Sequence, residues 1–574
     1  MFASISSAPE LDRRSRSTDQ RRTAFVLVLT AFLLYAALFI YRTSFVIGGE
    51  RYFSLFDDAM VSMRYAKNFA NGDGLVWNPG GPHVEGYTNL LWVLYMGAVH
   101  LLPIPASKTS LVIQITAAVL LTLNLVYVRR LALALSSGSS AVAIGAVALT
   151  ASYLPLNYWS LQGMEVSVLV LLTSACTWKA IQSLESGSVP RTLYVLLGIG
   201  TWVRPDVAVM FLAFLGFMLF VDRMRWRHHL AWGVAAFVVS YAVQTAFREW
   251  YYGNVLPNTY YLKLAGIPLL VRLARGAEVL LQFVWNANVL LFALPFALLL
   301  KGDVRIALVL WLLVAQMTYS VYVGGDAWEY WGVSNRYICP VMPGFFVLLA
   351  YALHELAAAT VKSMRGAQSW FTSEPRVAAW ISALAIVAAA VNLNSVHGIA
   401  ALAEALLIRP PLHTGPGEAN QLDVEQALAI RHATTRDASV AVIRAGTVPY
   451  FLERACVDLL GKSDSHVAHE PPRLGASLAD FREFRPGHVK FDFAYSIAGL
   501  EPDVILHLRR REGLASPFLK NYEGARLGNA RIYLRRGSAH VLVDRLPAVR
   551  DQEGSGISRS SSANGLLQGV SSGS

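Results

Sequence analysis

The sequence predicts a polytopic α-helical membrane protein that carries a separate α/β domain after its last span. Three observations predict it. Of 574 residues, 55% are hydrophobic and 15% charged, against roughly 25% charged in soluble domains. Apolar runs of near-spanning length recur between residues 24 and 396. Beyond 396 the chain becomes charged and Pro/Gly-punctuated, with no further long apolar run. A disordered chain and an ordinary soluble enzyme are excluded on these grounds. The net charge of +11 is spread over short segments between apolar runs, which suits basic cytoplasmic loops and argues against a nucleic-acid partner. Cys176, Cys339 and Cys456 stand far apart and form neither a disulfide framework nor a metal-binding spacing.

Residues 1–23 form a basic tail (Arg13, Arg14, Arg16, Arg21, Arg22) ahead of the apolar run Ala24–Ile40. That run exceeds a signal-peptide core and lacks a small-residue cleavage site, so it reads as a retained first span with the N-terminus in the cytoplasm. Further spans are expected at 109–128, 139–156, 164–182, 191–203, 206–221, 231–247, 279–300, 304–323, 340–359 and 378–396, about eleven in all. The run 88–102 reaches only ~22 Å at ~1.5 Å per residue, short of a ~30 Å hydrocarbon core. It is expected to lie at the interface or re-enter. Leaving it out of the crossings puts Arg129/Arg130, Lys179/Arg191, Arg223/Arg225/Arg227, Lys301/Arg305 and Lys362/Arg365/Arg376 on the cytoplasmic side. The transmembrane domain is thus 24–396, with a first external loop at 48–88. The segment 398–548 then lies outside as a small α/β domain. Its strand-like runs are Ser439–Ile443, Val504–His507 and Arg531–Leu534, and its helices Ala419–Thr434 and Val448–Glu453. The Ser/Gly-rich tail 551–574 is expected to be disordered.

This topology sends Asp57, Asp58, Glu85, Glu165, Asp206, Glu249, Asp326 and Glu329 to the external face. Arg64, Lys67, Arg204, Arg248, Lys263 and Arg336 join them. Such a gathering is either a site or ordinary loop polarity. A helix opens at Asp57-Asp58 and stops at Asn71-Gly72-Asp73-Gly74. Asp is a favoured helix cap, a role that needs no chemistry. Yet helical offsets put Asp57, Arg64 and Asn68 within ~20° of one face, with Arg64 ~10 Å along the axis. That spacing suits two ends of one substrate. A capped carboxylate stays ionised and is able to take a proton from a hydroxyl. Trp77 and Tyr87 suit either the membrane interface or stacking on a sugar ring. Two other signals fail. Gly461-Lys462-Ser463 ends like a phosphate-binding loop, but Cys456 stands where its first glycine belongs. His466 and His469 have the spacing of a metal pair without an apparent third ligand. No cofactor or catalytic metal is called for by any spacing, and a structural divalent cation is left open.

Several short motifs run in order along the chain. They are Asp57-Asp58 with Arg64 and Asn68, Gly74-Leu75-Val76-Trp77-Asn78-Pro79-Gly80, Val84-Glu85-Gly86-Tyr87-Thr88-Asn89 and Gly163-Met164-Glu165. Val203-Arg204-Pro205-Asp206, Tyr251-Tyr252-Gly253-Asn254, Leu256-Pro257-Asn258-Thr259 with Lys263, and Gly324-Gly325-Asp326 with Arg336 and Pro340 follow. Asp458-Leu459-Leu460-Gly461 and Gly487-His488-Val489-Lys490 complete the series. On these the chain resembles the GT-C fold glycosyltransferases that use polyprenyl-phosphate sugars. It is most similar to the branch containing the mycobacterial terminal β-(1→2) arabinofuranosyltransferase. The resemblance implies a multi-pass protein of a bacterial plasma (inner) membrane, with its site on the external face. It implies a polyprenyl-phosphate sugar donor, a cell-envelope glycan or lipid acceptor, and in-line inversion with Asp57 or Asp58 as base. Asp57 is favoured because it shares a face with Arg64. Arg64, Arg204, Lys263 and Arg336 are then candidates for the phosphate. Glu85, Glu165, Asp206, Asn258 and Asp326 are candidates for sugar hydroxyls. Asn68 belongs to the first motif, and His488 and Lys490 either bind acceptor or fix the external domain on the bundle. Met164 replaces a leucine common in relatives, and 84–89 departs from the arabinosyl enzyme after its glutamate, so the sugar stays open. A transporter of lipid-linked glycan, or a glycan-binding membrane protein without catalysis, are the alternatives. A transporter would place its ionisable groups near the bilayer midplane, whereas here they cluster at span ends.

Overall fold

The structure is a computed structural model that describes residues 8–327, 335–365, 374–394, 416–474, 481–508, 511–528 and 530–546. The tail 551–574, the segment 395–415 and Glu329 lie outside the described residues.

A long helix, α1 (Ala8–Arg42), opens the chain, and its apolar part is Arg22–Arg42. A hairpin follows, β1 (Phe45–Ile47) against β2 (Glu50–Tyr52), turned by Gly48 and Gly49 at φ 57° and 83°. A two-residue turn with both φ positive is the twist that hairpins prefer, and glycine adopts it without strain. Next come α2 (Asp57–Ala70) and the short α3 (Leu90–His100), packed on one another. α4 (Ala106–Leu135), α5 (Ser140–Ser152), α6 (Leu154–Leu161), α7 (Val166–Ser186), α8 (Arg191–Val203) and α9 (Val207–Val221) build the first half of the bundle. α10 (Trp226–Tyr252), the one-turn α11 (Asn258–Lys263), α12 (Leu269–Asn286), α13 (Val289–Ala293), α14 (Val304–Val323), α15 (Met342–Arg365) and α16 (Glu374–Asn394) build the second. The core lies where α4 meets α7 and where α15 meets α5 and α16, with Tyr153, Trp159, Phe345 and Phe346 fully buried. By contrast α10 leaves Val238, Val239 and Val243 exposed, a face that only lipid tails would cover.

Among the described residues, seven helices are long and apolar enough to cross a membrane: those beginning at Arg22, Ala106, Val166, Trp226, Val304, Cys339 and Val377. Two further apolar runs of the expected set of about eleven are bent pairs, which bring the number among the described residues to nine if each pair is one span. The run 139–156 breaks at Tyr153, and α5 and α6 diverge by 53°. Pro155 explains the break, because it has no N–H to continue the ladder of α5. The run 279–300 breaks at Ala287-Asn288 and turns by 100°. Asn288 takes φ 67°, and its side chain caps the amides of Leu290 and Leu291. The stretches 191–203 and 206–221 are helices of 13 and 15 residues parted by Arg204-Pro205-Asp206. α3 has 11 residues, consistent with no full crossing by the run 88–102.

The last region folds as helix and mixed sheet. α17 (Pro416–His432) is followed by β3 (Ser439–Val442), α18 (Thr447–Leu452), β4 (Ala455–Asp458) and α19 (Ser465–His469). β5 (Val504–Ile505), β6 (Tyr522–Leu527) and β7 (Ala530–Arg535) complete a five-stranded sheet in the order β4-β3-β5-β7-β6. β3 is parallel to β4 and β5, and β7 is antiparallel to β5 and β6. α18 packs against α2, and α19 against α11. The sheet domain therefore sits directly on the two short helices that carry Asp57, Asp58 and Lys263.

Candidate active site

Asp57 and Asp58 open α2, but neither caps it. The cap position is Phe56, without a side-chain cap. Asp57 instead turns to the sheet domain. Its Oδ1 accepts from the amides of Gly446 (3.2 Å) and Thr447 (2.9 Å), so it caps α18 from another part of the chain. Burial raises the Asp57 carboxyl above its ordinary range, partly offset by Arg444 and the Thr447 amide.

Asp58 points the other way. Its Oδ1 accepts from Lys462 Nζ at 2.7 Å and its Oδ2 from Arg336 at 3.2 Å. Burial would raise this carboxyl, but Lys462, Arg336 and Lys263 outweigh it and hold it well below the usual carboxylate range. Burial and the nearby Arg336 lower the Lys263 ammonium to about 8, against the pull of Asp58. Arg336 also donates to Asp326 (3.3 Å) and lies over the Trp159 ring. Asp326 reaches this point through Gly324 and Gly325, both at positive φ (86° and 77°), which turn the chain sharply out of α14. Three cations thus converge on one carboxylate, an arrangement suited to holding an anion.

Two cavities meet at this cluster, and both are lined by Asp58, Lys263, Arg336, Tyr337 and Lys462. The first, about 250 Å³, lies in the bundle. One wall is a polar chain: Ser62 donates to Asn89 (3.0 Å), Asn89 to Glu165 (2.9 Å), Arg204 pairs with Glu165 (3.4 Å), and Arg204 forks onto Asp206 (2.9 and 2.6 Å). Its other side is apolar, with Leu256, Pro257, Tyr260, Leu264 and Val323, and there Leu256 and Tyr260 are exposed. The second cavity, about 360 Å³, lies between bundle and sheet domain and adds Asp57, Asp326, Arg444, Asp458 and His488. Burial lowers the His488 imidazole below its ordinary range.

Other residues expected at the site lie elsewhere. Arg64 is 4% exposed and spends its donors on the carbonyls of Trp77, Pro449 and Arg454 and on Asn78. Asn68 donates to the carbonyls of Val76 and Trp77. Asp57 and Arg64 meet the sheet domain and Asn68 meets the 76–77 carbonyls, so the arrangement that favours Asp57 is one of packing contacts. Glu85 is buried against Arg248 at 2.8 Å, its carboxyl raised by burial to about 7 despite that partner. Lys490 donates to the carbonyls of Tyr261 and Ala468 (both 2.9 Å) and fastens α11 to α19. Asn258 donates to the carbonyls of Gly461, Lys462 and Asp464. Trp77 and Tyr87 are buried and bonded inside the protein, to the Ala445 carbonyl and the Tyr252 hydroxyl, not laid at an interface. His466 gathers Glu470 (3.6 Å) and Asp492 (3.3 Å) on the surface, whereas His469 lies tilted against the Tyr261 ring.

The residue that sequence reasoning misses is Lys462, which stands in the segment that fails the phosphate-loop match. A signal exists nonetheless: it directly follows Asp458-Leu459-Leu460-Gly461, one of the ordered motifs. Asn89 ends the motif Val84–Asn89 and Tyr337 directly follows Arg336, whereas Arg444 carries no comparable signal.

Residues 413–543 match a family described as a domain of unknown function, DUF8728. No curated protein matches the chain. Among solved structures it is similar to ArnT from Cupriavidus metallidurans bound to undecaprenyl phosphate, at 12% identity and a TM-score of 0.51, covering 90% of this chain and 98% of that one. It is also similar to the archaeal oligosaccharyltransferase AglB from Archaeoglobus fulgidus in complex with an inhibitory peptide and a dolichol-phosphate. There the identity is 11% and the TM-score 0.55, with 91% of this chain and 75% of that one covered. At such identity the likeness is one of architecture: this chain is a polytopic membrane protein of the GT-C fold with a sheet-containing C-terminal domain.

Proposed function

We propose that this protein is a membrane glycosyltransferase that moves a sugar from a polyprenyl-phosphate donor to a hydroxyl of a cell-envelope glycan or lipid. The observation that carries the reading is the cage of Lys263, Arg336 and Lys462 around Asp58 at the junction of two cavities. The undecaprenyl phosphate of ArnT and the dolichol-phosphate of AglB support a lipid phosphate as its ligand. The donor enters the first cavity past Leu256 and Tyr260, with its isoprenoid along the apolar side and its sugar hydroxyls toward Asn89, Glu165 and Asp206. Its phosphate draws Lys263, Arg336 and Lys462 away from Asp58. Freed of those charges, the carboxylate becomes a stronger base. An acceptor hydroxyl in the second cavity then attacks the anomeric carbon. The C–O bond to phosphate breaks, the hydroxyl proton passes to Asp58, and polyprenyl phosphate leaves with the bonding electrons, its growing charge held by the three cations. The configuration inverts. Asp57 is assigned to seating the sheet domain rather than to proton transfer. The cluster lies on the extracytoplasmic side of a bacterial plasma membrane, where nucleotide-sugars are absent and a lipid-carried donor is required. Arabinofuranose is one candidate sugar.

The test is sugar transfer in membranes from a panel of polyprenyl-phosphate sugars. Asp58→Asn should lower turnover by about two orders of magnitude or more, the usual worth of a general base, while Asp57→Asn keeps a measurable fraction. Full activity in Asp58→Asn would refute the mechanism.

A further inference from the structure

The C-terminal domain matches only a family of unknown function, yet the geometry gives it a task. We infer that this domain is a working part of the active site: its 458–464 turn delivers Lys462 as the third phosphate-binding cation, and the domain must be seated on α2 for the site to hold a lipid phosphate. The inference rests on the glycosyltransferase reading and deepens it.

Lys462 is 404 positions from Asp58, yet its Nζ lies 2.7 Å from Oδ1. The turn that carries it is built rather than incidental. Asp458, buried at the end of β4, accepts from the amides of Leu460 (3.0 Å), Gly461 (3.2 Å) and Ser463 (2.7 Å). Asn258, the first residue of α11, donates to the carbonyls of Gly461 (2.9 Å), Lys462 (3.0 Å) and Asp464 (3.3 Å). One buried side chain satisfies the donors of the turn and another its acceptors, so the backbone of Lys462 is held from both sides. Asp458 and Asn258 are positioning residues in this scheme.

The seat is equally specific. Asp57 accepts from the Gly446 and Thr447 amides, and Arg64 donates to the Pro449 and Arg454 carbonyls. A Cβ on Gly446 would fall 1.9 Å from the Asp57 carbonyl oxygen. A Cβ on Gly86 would fall 2.4 Å from Ser463 Oγ and 2.9 Å from the Lys462 carbonyl oxygen. Backbone therefore meets backbone on both sides of the turn, with no room for one methyl group. The charge count gives a reason for a third cation. A donor phosphodiester carries one negative charge, whereas the leaving monoester approaches two near neutral pH. Lys462 should therefore favour the leaving group over the donor, as transition-state stabilisation requires.

The experiment measures binding of undecaprenyl phosphate, and of uncharged undecaprenol, to the full chain in detergent micelles. Lys462→Met should weaken undecaprenyl phosphate by about tenfold to a hundredfold, the worth of a charge-assisted hydrogen bond, and leave undecaprenol unchanged. Lys462→Arg should restore most of the loss. Gly446→Ala, which keeps every cation, should cause a loss of similar size, because the turn retreats with its domain. Unchanged undecaprenyl phosphate binding in Lys462→Met or in Gly446→Ala overturns the inference, and the glycosyltransferase reading then rests on Lys263 and Arg336 alone. Equal loss of both lipids in Lys462→Met overturns it too, since that marks a merely structural lysine. Failure of the unaltered protein to bind undecaprenyl phosphate overturns both.

Discussion

Asp57 and Asp58 are successive residues of a helix, so their side chains leave it ~100° apart. One turn of direction separates a carboxylate bonded to amides from a carboxylate bonded to cations. The same cluster makes a pH prediction. Lys263 is lowered from its ordinary range to about 8, so it is charged below that pH and loses its charge above it. Undecaprenyl phosphate affinity of the free protein should therefore fall as pH rises through about 8, and Lys263→Arg should remove that limb of a binding titration. A profile unaffected by Lys263→Arg would assign the limb to another group. Residue types and their order along the chain nominate Asp57, Asp58, Lys263, Asp326 and Arg336 together, and do not choose between the two carboxylates. They misplace Arg64 for a physical reason: helix periodicity states which face a side chain leaves from, not what covers that face. Here the covering groups are carbonyls at 449 and 454, nearly four hundred positions away.

Individual elements depart from the sequence reading at their breaks. Hydropathy sees 279–300 as one apolar run, yet Asn288 in the left-handed region bends it by 100°. Asparagine tolerates that conformation and its side chain satisfies two amides of the next helix; a β-branched residue does neither. Asn288→Val should destabilise the protein by about 1–3 kcal/mol, and Asn288→Gly by a few tenths, measured by thermal unfolding in detergent. Equal effects of the two variants would mean that the bend comes from packing alone. In the sheet domain, helices at 416–432 and 447–452 and strands β3 and β7 fall where hydrophobic patterning puts them. β4 and β6 escape it. β4 has four residues, too few for a period-two signal, and β6 carries Glu523, Gly524 and Arg526 at the sheet edge, where one side of a strand needs no apolar cover.

At the scale of the molecule, the sheet domain sits on α2 and α11, so the contact of Lys462 with Asp58 joins domain to bundle. The proposed orientation is open to chemical labelling, because Cys176, Cys339 and Cys456 are all buried and give little background. A cysteine replacing the exposed Glu523 should react with a membrane-impermeant maleimide in intact cells. One replacing Met224, 91% exposed between α9 and α10, should react only after permeabilisation. The reverse pattern would put Asp58 on the cytoplasmic side and remove the case for a lipid-carried donor. The sequence by itself determined the membrane class, the presence of a second, polar domain and the candidate carboxylates, because burial in lipid and local periodicity act over tens of residues and leave a readable pattern. Only the tertiary structure decided which carboxylate meets the cations, that Arg64 serves the seat and that Lys462 belongs to the site. Those outcomes depend on packing between segments hundreds of positions apart, and no local pattern carries that information.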